Sequence, residues 1–161
     1  MHRHTTLVIF ALTAVLAVAF TASGQSSDSW TGTWKVNLAK SKYVPGPAPT
    51  NAAMVKMEAS ENGLKTAIDG VNAQGQTMHT VTNGKFDGKD YPTEGAQAPN
   101  STQTLERIDD HTFQTVGKVD GKVTVTTRVV ISSDGKTLTA TQTGKDAQGQ
   151  TVANVIVADK Q

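Results

Sequence analysis

The chain contains no cysteine, so no disulfide can staple it and no thiolate can hold zinc. Aromatic residues make up only 5% of it, which turns each tryptophan and phenylalanine into a candidate anchor of a core. An excess of one charge is missing too, since 15 Lys+Arg stand against 14 Asp+Glu. A surface of balanced sign gives no electrostatic case for nucleic acid or an anionic membrane as partner. After residue 24 no segment carries a convincing helical period of apolar residues. One long apolar run occurs, Leu7 to Phe20, interrupted only by Thr13.

That run falls short of the roughly 20 residues a membrane-crossing helix needs. It follows His2, Arg3 and His4 and precedes Thr21-Ala22-Ser23-Gly24, the charged, apolar, small-residue order of a secretory signal peptide. Residues 1–24 are therefore expected to be a leader cleaved after Gly24. Residues 25–161 are expected to form one exported domain, periplasmic or extracellular and monomeric, with no integral membrane segment after maturation. No cysteine follows the run to carry a lipid anchor.

What is abundant is β signal. Between Trp30 and Leu38, Trp34, Val36 and Leu38 alternate with Thr33, Lys35 and Asn37, the period of a half-buried strand. From Ala39 to Ala53, Pro45, Pro47 and Pro49 with Gly46 forbid a long helix and a central strand alike, leaving one helical turn at most and an extended loop. Short Thr- and Val-rich runs then alternate with the turn pairs Asn62-Gly63, Asp69-Gly70, Asn83-Gly84, Asp87-Gly88, Asp120-Gly121 and Asp134-Gly135. Strands are expected near 54–59, 64–69, 76–82, 85–91, 101–108, 112–119, 122–131, 137–143 and 150–158, with a second loop over 92–100. Tight turns make neighbours antiparallel, so the fold class read from the sequence is all-β, an up-and-down meander of about 8–10 strands. Closing it into a barrel leaves no open edge.

One echo stands out: Ala73-Gln74-Gly75-Gln76-Thr77 recurs as Ala147-Gln148-Gly149-Gln150-Thr151. Leu64 and Gly70 precede the first copy as Leu138 and Gly144 precede the second. Each copy reads as a hairpin tip, either by convergent turn chemistry or by duplication or a shared binding role.

Gly32-Thr33-Trp34 opens the first strand of this meander, soon after the leader. A Gly-x-Trp in that place resembles the lipocalin and fatty-acid-binding (calycin) superfamily of ligand-holding barrels. The continuation from Lys35 to Tyr43, with Pro45-Gly46-Pro47 behind it, is similar to small secreted bacterial lipocalin-like proteins, and the last strand, ending Val157-Ala158-Asp159-Lys160-Gln161, to the closing strand of the intracellular lipid-binding branch. The resemblance implies a barrel whose Gly32, Trp34 and Lys160 close one end, the lysine lying across the indole, with Arg128 competing for that place. It departs from the fatty-acid binders where their last-strand Arg-x-Tyr anchor is replaced by Ile156 and Ala158. Fatty-acid specificity is therefore not implied.

Little in the residues points to chemistry. His79 and His111 lie far apart and have no metal-ligand spacing, and no Gly-x-Ser-x-Gly elbow or phosphate loop occurs. Asp109-Asp110 reads as a polar turn before a catalytic pair. Neither enzymatic activity nor a cofactor or metal is expected. Arg107 and Arg128, the two arginines beyond the leader, are candidate partners for a ligand carboxylate, with Arg128 favoured for the solvent face by its threonine neighbours. Tyr91 and Phe113 are candidate lining residues, with Tyr43 and Phe86 beside them; all four serve equally as core aromatics. The expectation is an exported, non-enzymatic barrel holding a small, mainly apolar molecule. The alternative is a structural or protein-interaction module, an inhibitor included, whose interior is filled by its own side chains.

Overall fold

A computed structural model of the chain describes residues 28–72, 75–146 and 148–161. The leader expected over residues 1–24 lies outside them. Ten strands follow one another: β1 (Gly32–Val36), β2 (Met54–Ser60), β3 (Gly63–Val71), β4 (Thr77–Lys85), β5 (Tyr91–Glu94), β6 (Ser101–Arg107), β7 (Thr112–Val119), β8 (Lys122–Ile131), β9 (Thr137–Lys145) and β10 (Thr151–Lys160). Each pairs antiparallel with the next, and β1 pairs with β10 to close the barrel. The meander expected from turn spacing is thus the fold, at the upper end of the expected strand number. Between β1 and β2 the helical allowance is met by one 3-10 turn, Leu38–Lys40, capped by the Asn37 side chain.

Several boundaries differ from the sequence reading, each for a local reason. Asp69-Gly70 and Asn83-Gly84 lie within β3 and β4 and make no turn. Gly84 serves packing instead, because a Cβ there would come within 2.7 Å of Leu105 Cδ1 and 3.0 Å of the Tyr91 ring. The segment 85–91 is not one strand, since β4 ends at Lys85 and the chain bends through Asp87-Gly88 before β5. Part of the expected second loop, from Pro92 to Glu94, is strand and belongs to β5; Pro92 is tolerated because β5 makes only two registered pairs with each neighbour. Asp120-Gly121 is a two-residue hairpin turn with φ of 49° and 73°, the left-handed pair that such a connection demands.

The echoed segments sit at equivalent tips, although Ala73, Gln74 and Ala147 lie outside the described residues. Asn72 N–H donates to Gln76 O at 2.9 Å, as Asp146 N–H does to Gln150 O at 3.0 Å. Gly75 and Gly149 adopt φ of 81° and 80°. The likeness extends along both hairpins, for Leu64 faces Gly84 in one as Leu138 faces Ala158 in the other.

Residues directly opposite across a ladder share a face, so the registers assign an inner and an outer wall. Trp34, Val36, Leu105, Phe113, Val129, Ile131, Leu138 and Ala158 form a buried apolar core on the inner wall. They cluster toward the end where β2–β3, β6–β7 and β8–β9 turn, here called the floor. The hairpins β3–β4, β7–β8 and β9–β10 turn at the opposite end, the mouth.

Candidate functional site

The floor is built around two tryptophans. Trp34 projects inward from β1, and Trp30, just before that strand, is also fully buried. The Trp34 indole N–H donates to Trp30 O at 2.9 Å, locking the two together. Trp30 meets Phe113 and Phe86 with ring centroids 5.4 Å and 5.8 Å away, the tilted geometry that aromatic quadrupoles prefer.

A cation lies on each indole. Lys160 Nζ stands 5.0 Å from the Trp34 ring centroid and the Arg107 guanidinium 4.9 Å from that of Trp30. Gly32 clears the path for the lysine, because a Cβ there would sit 2.8 Å from Lys160 Cε, and its φ of +130° disfavours any side chain. Arg107 also pairs with Asp28 at 3.3 Å and Asp110 at 3.1 Å. The structure therefore brings Gly32, Trp34 and Lys160 together at one end and sets Arg107 with Phe113 beneath Trp30.

Of the other candidates, Arg128 is exposed on the outer wall, opposite Gln114 and Thr141. Tyr91 is half-buried; its ring lies against Gly84 and its hydroxyl donates to Asp87 Oδ2 at 3.1 Å. Tyr43 is half-buried in the segment that continues past β1 alongside β10, and burial pushes its hydroxyl pKa up. Neither arginine faces the mouth half of the interior. The missed residue is Trp30: its spacing of four from Trp34 matches the strand alternation and was the available signal, but Trp30 lies in the turn ahead of β1 and enters the floor from there.

Above the floor the inner wall changes character. On β4, β9 and β10 the mouth-side positions alternate between exposed outer residues and half-buried inner ones: His79 with Thr80, Thr141 with Gln142, Ala153 with Asn154. The inner set mixes hydroxyls and amides with the apolar Met78 and Val152. Thr82 and Thr93 share a 3.2 Å hydrogen bond, Gln103 Nε2 donates to Thr115 Oγ1 at 3.1 Å, and Asn154 Nδ2 donates to Gln142 Oε1 at 2.9 Å. Thr66, Thr80 and Thr127 face the same interior and remain half-buried. Among the described residues, no ionisable side chain faces inward between floor and rim. Apolar surface continues upward as a lower belt of Val55, Met57, Ile68 and Ile156 and, nearer the rim, as Met78, Val125 and Val152, which the registers set on the same inner face.

His79 pairs with Asp69 on the exposed outer wall, and His111 lies in a floor turn, so the two histidines are not brought together. Among the described residues no group of three or more His, Cys, Asp or Glu is placed to hold a metal ion. In the 108–111 turn the Asp109 carboxylate accepts from His111 N–H at 2.8 Å, which holds its pKa below the usual carboxylate range. Asp110 is bound to Arg107. The described residues contain no helix long and apolar enough to cross a membrane. No family model matches the chain, and neither does any curated protein.

Proposed function

We propose that this chain is an exported, lipocalin-like binding protein that holds a small molecule noncovalently in the mouth half of its barrel and turns nothing over. One observation carries the reading. Inner-wall side chains are buried at the floor, yet on the same strands nearer the mouth they are only half-buried. Side chains packed against one another across a filled interior would all be shielded. An eight-stranded barrel leaves room for side chains or one small ligand, and diameter grows with strand number. Ten strands with threonines and glycines on the inner wall leave more. The order of charged, apolar and small residues over 1–24 supports export, and the Gly32-x-Trp34 element with Lys160 across the indole supports the lipocalin kinship.

The mainly apolar ligand suggested by the resemblance fits the lower belt and the positions of Met78, Val125 and Val152, while hydroxyls and amides lie between the two. Native mass spectrometry of the secreted protein, followed by extraction, tests the proposal. A retained small molecule that disappears in Thr127→Phe, with the circular dichroism spectrum unchanged, supports it. A protein that retains nothing and that Thr127→Phe destabilises by about 1–3 kcal/mol, the cost of overpacking, is instead a filled module that works through its outer surface.

A further inference from the structure

We infer that the molecule held in the mouth half is an uncharged, polyhydroxylated compound of the sugar or polyol class. The inference rests on the binding reading above and adds the chemistry of the ligand. Three cross-strand bonds, Thr82 with Thr93, Gln103 with Thr115 and Asn154 with Gln142, fix polar side chains before any ligand arrives. Each glutamine keeps an unused group: among the described residues, Gln103 Oε1 has no donor and Gln142 Nε2 no acceptor. The inner hydroxyls of Thr66, Thr80 and Thr127 make no side-chain hydrogen bond with the described residues. The interior thus offers donors, acceptors and hydroxyls that can be either, on strands spread around the barrel.

Three ligand classes meet this wall differently. A carboxylate, phosphate or ammonium group would leave water without meeting a counter-charge, because inward-facing ionisable side chains are absent between floor and rim among the described residues. A hydrocarbon ligand would strip water from the hydroxyls of Thr66, Thr80 and Thr127 and from the spare groups of Gln103 and Gln142 and return no hydrogen bond, so these would be left unsatisfied. A neutral polyol satisfies them with its own hydroxyls. The C–H face of a sugar ring meets half-buried apolar side chains at Ile68, Ile156, Met78 and Val152. Because the complementary groups are uncharged, binding is expected to be insensitive to salt.

The test is isothermal titration of the secreted protein with glucose, trehalose, glycerol and myo-inositol, beside decanoate and the neutral hydrocarbon probe 1-aminoanthracene. Saturable binding of at least one of the four polyols is expected, weakened about three- to ten-fold by Thr80→Val and again by Thr127→Val, near-isosteric changes that each delete one hydrogen-bonding group. Failure of all four at concentrations up to about 10 mM overturns the inference, as does polyol affinity unmoved by both valine variants. Binding of 1-aminoanthracene that Thr127→Phe abolishes, with no polyol bound, leaves the barrel reading standing and removes the ligand class. Binding of no probe, with no molecule retained on purification, removes both.

Discussion

Two tryptophans four residues apart do different work at the floor, and substitution should separate them. Trp34 uses its indole N–H on the Trp30 carbonyl, whereas the Trp30 N–H is buried and has no partner among the described residues. Trp34→Phe strands a buried acceptor and is expected to cost about 1–3 kcal/mol, read as a lowered urea midpoint at unchanged slope. Trp30→Phe gives up area but also removes an orphaned donor, so its loss should be clearly the smaller of the two. Equal losses, or the reverse order, would show that the indole hydrogen bond is not what joins the plug to the barrel. Lys160 over Trp34 is exposed, and its attraction to the ring is worth only about 0.5–1 kcal/mol.

At the scale of strands, the sequence was most legible where alternation and turn chemistry agreed. The bounds of β7 and β8 coincide with the runs expected from Thr112 to Val119 and from Lys122 to Ile131, because Asp120-Gly121 can only turn and Val129 and Ile131 can only face the core. Asn83-Gly84 was misleading because a glycine needed for close packing looks the same as one needed for a turn. Gly63 shows the difference: a Cβ on it would lie 1.9 Å from the Gly84 carbonyl oxygen, which no side-chain shift can relieve. Gly63→Ala is accordingly expected to part β3 from β4 at the floor, seen as faster amide exchange at Lys65 and Asn83 and a loss of more than about 1–3 kcal/mol, the usual range for overpacking. Exchange rates unchanged at those amides would mean that the ladder accommodates the methyl. The polar inner wall was hidden for a related reason. Thr80, Gln142 and Asn154 carry no motif, and only the register around the closed sheet shows which face they share.

For the molecule as a whole, acid is the weak side. Asp87, Asp109, Asp134 and Asp159 all have pKa values lowered by hydrogen bonds: from the Lys89 N–H, the His111 N–H, the Ser132 hydroxyl and the Asn37 amide respectively. A carboxyl whose folded pKa lies below its unfolded value stabilises the protein above the ordinary carboxylate range, and that contribution is lost as pH falls through the folded value. The urea midpoint is expected to hold level from neutrality down to about pH 5 and to fall below about pH 4. A midpoint that stays flat into strong acid would remove these four carboxylates from the stability of the barrel. The likeness of the hairpins β3–β4 and β9–β10 also bears on assembly, because a chain that spells one phrase twice offers each strand a counterfeit mate, in its own molecule or in a neighbour. Where β3 has Gly63, β9 has Thr137 at the equivalent rung, and Thr137 brings the methine that the Gly84 carbonyl will not admit. That one missing carbon proofreads the pairing, rejecting β9 as an impostor beside β4.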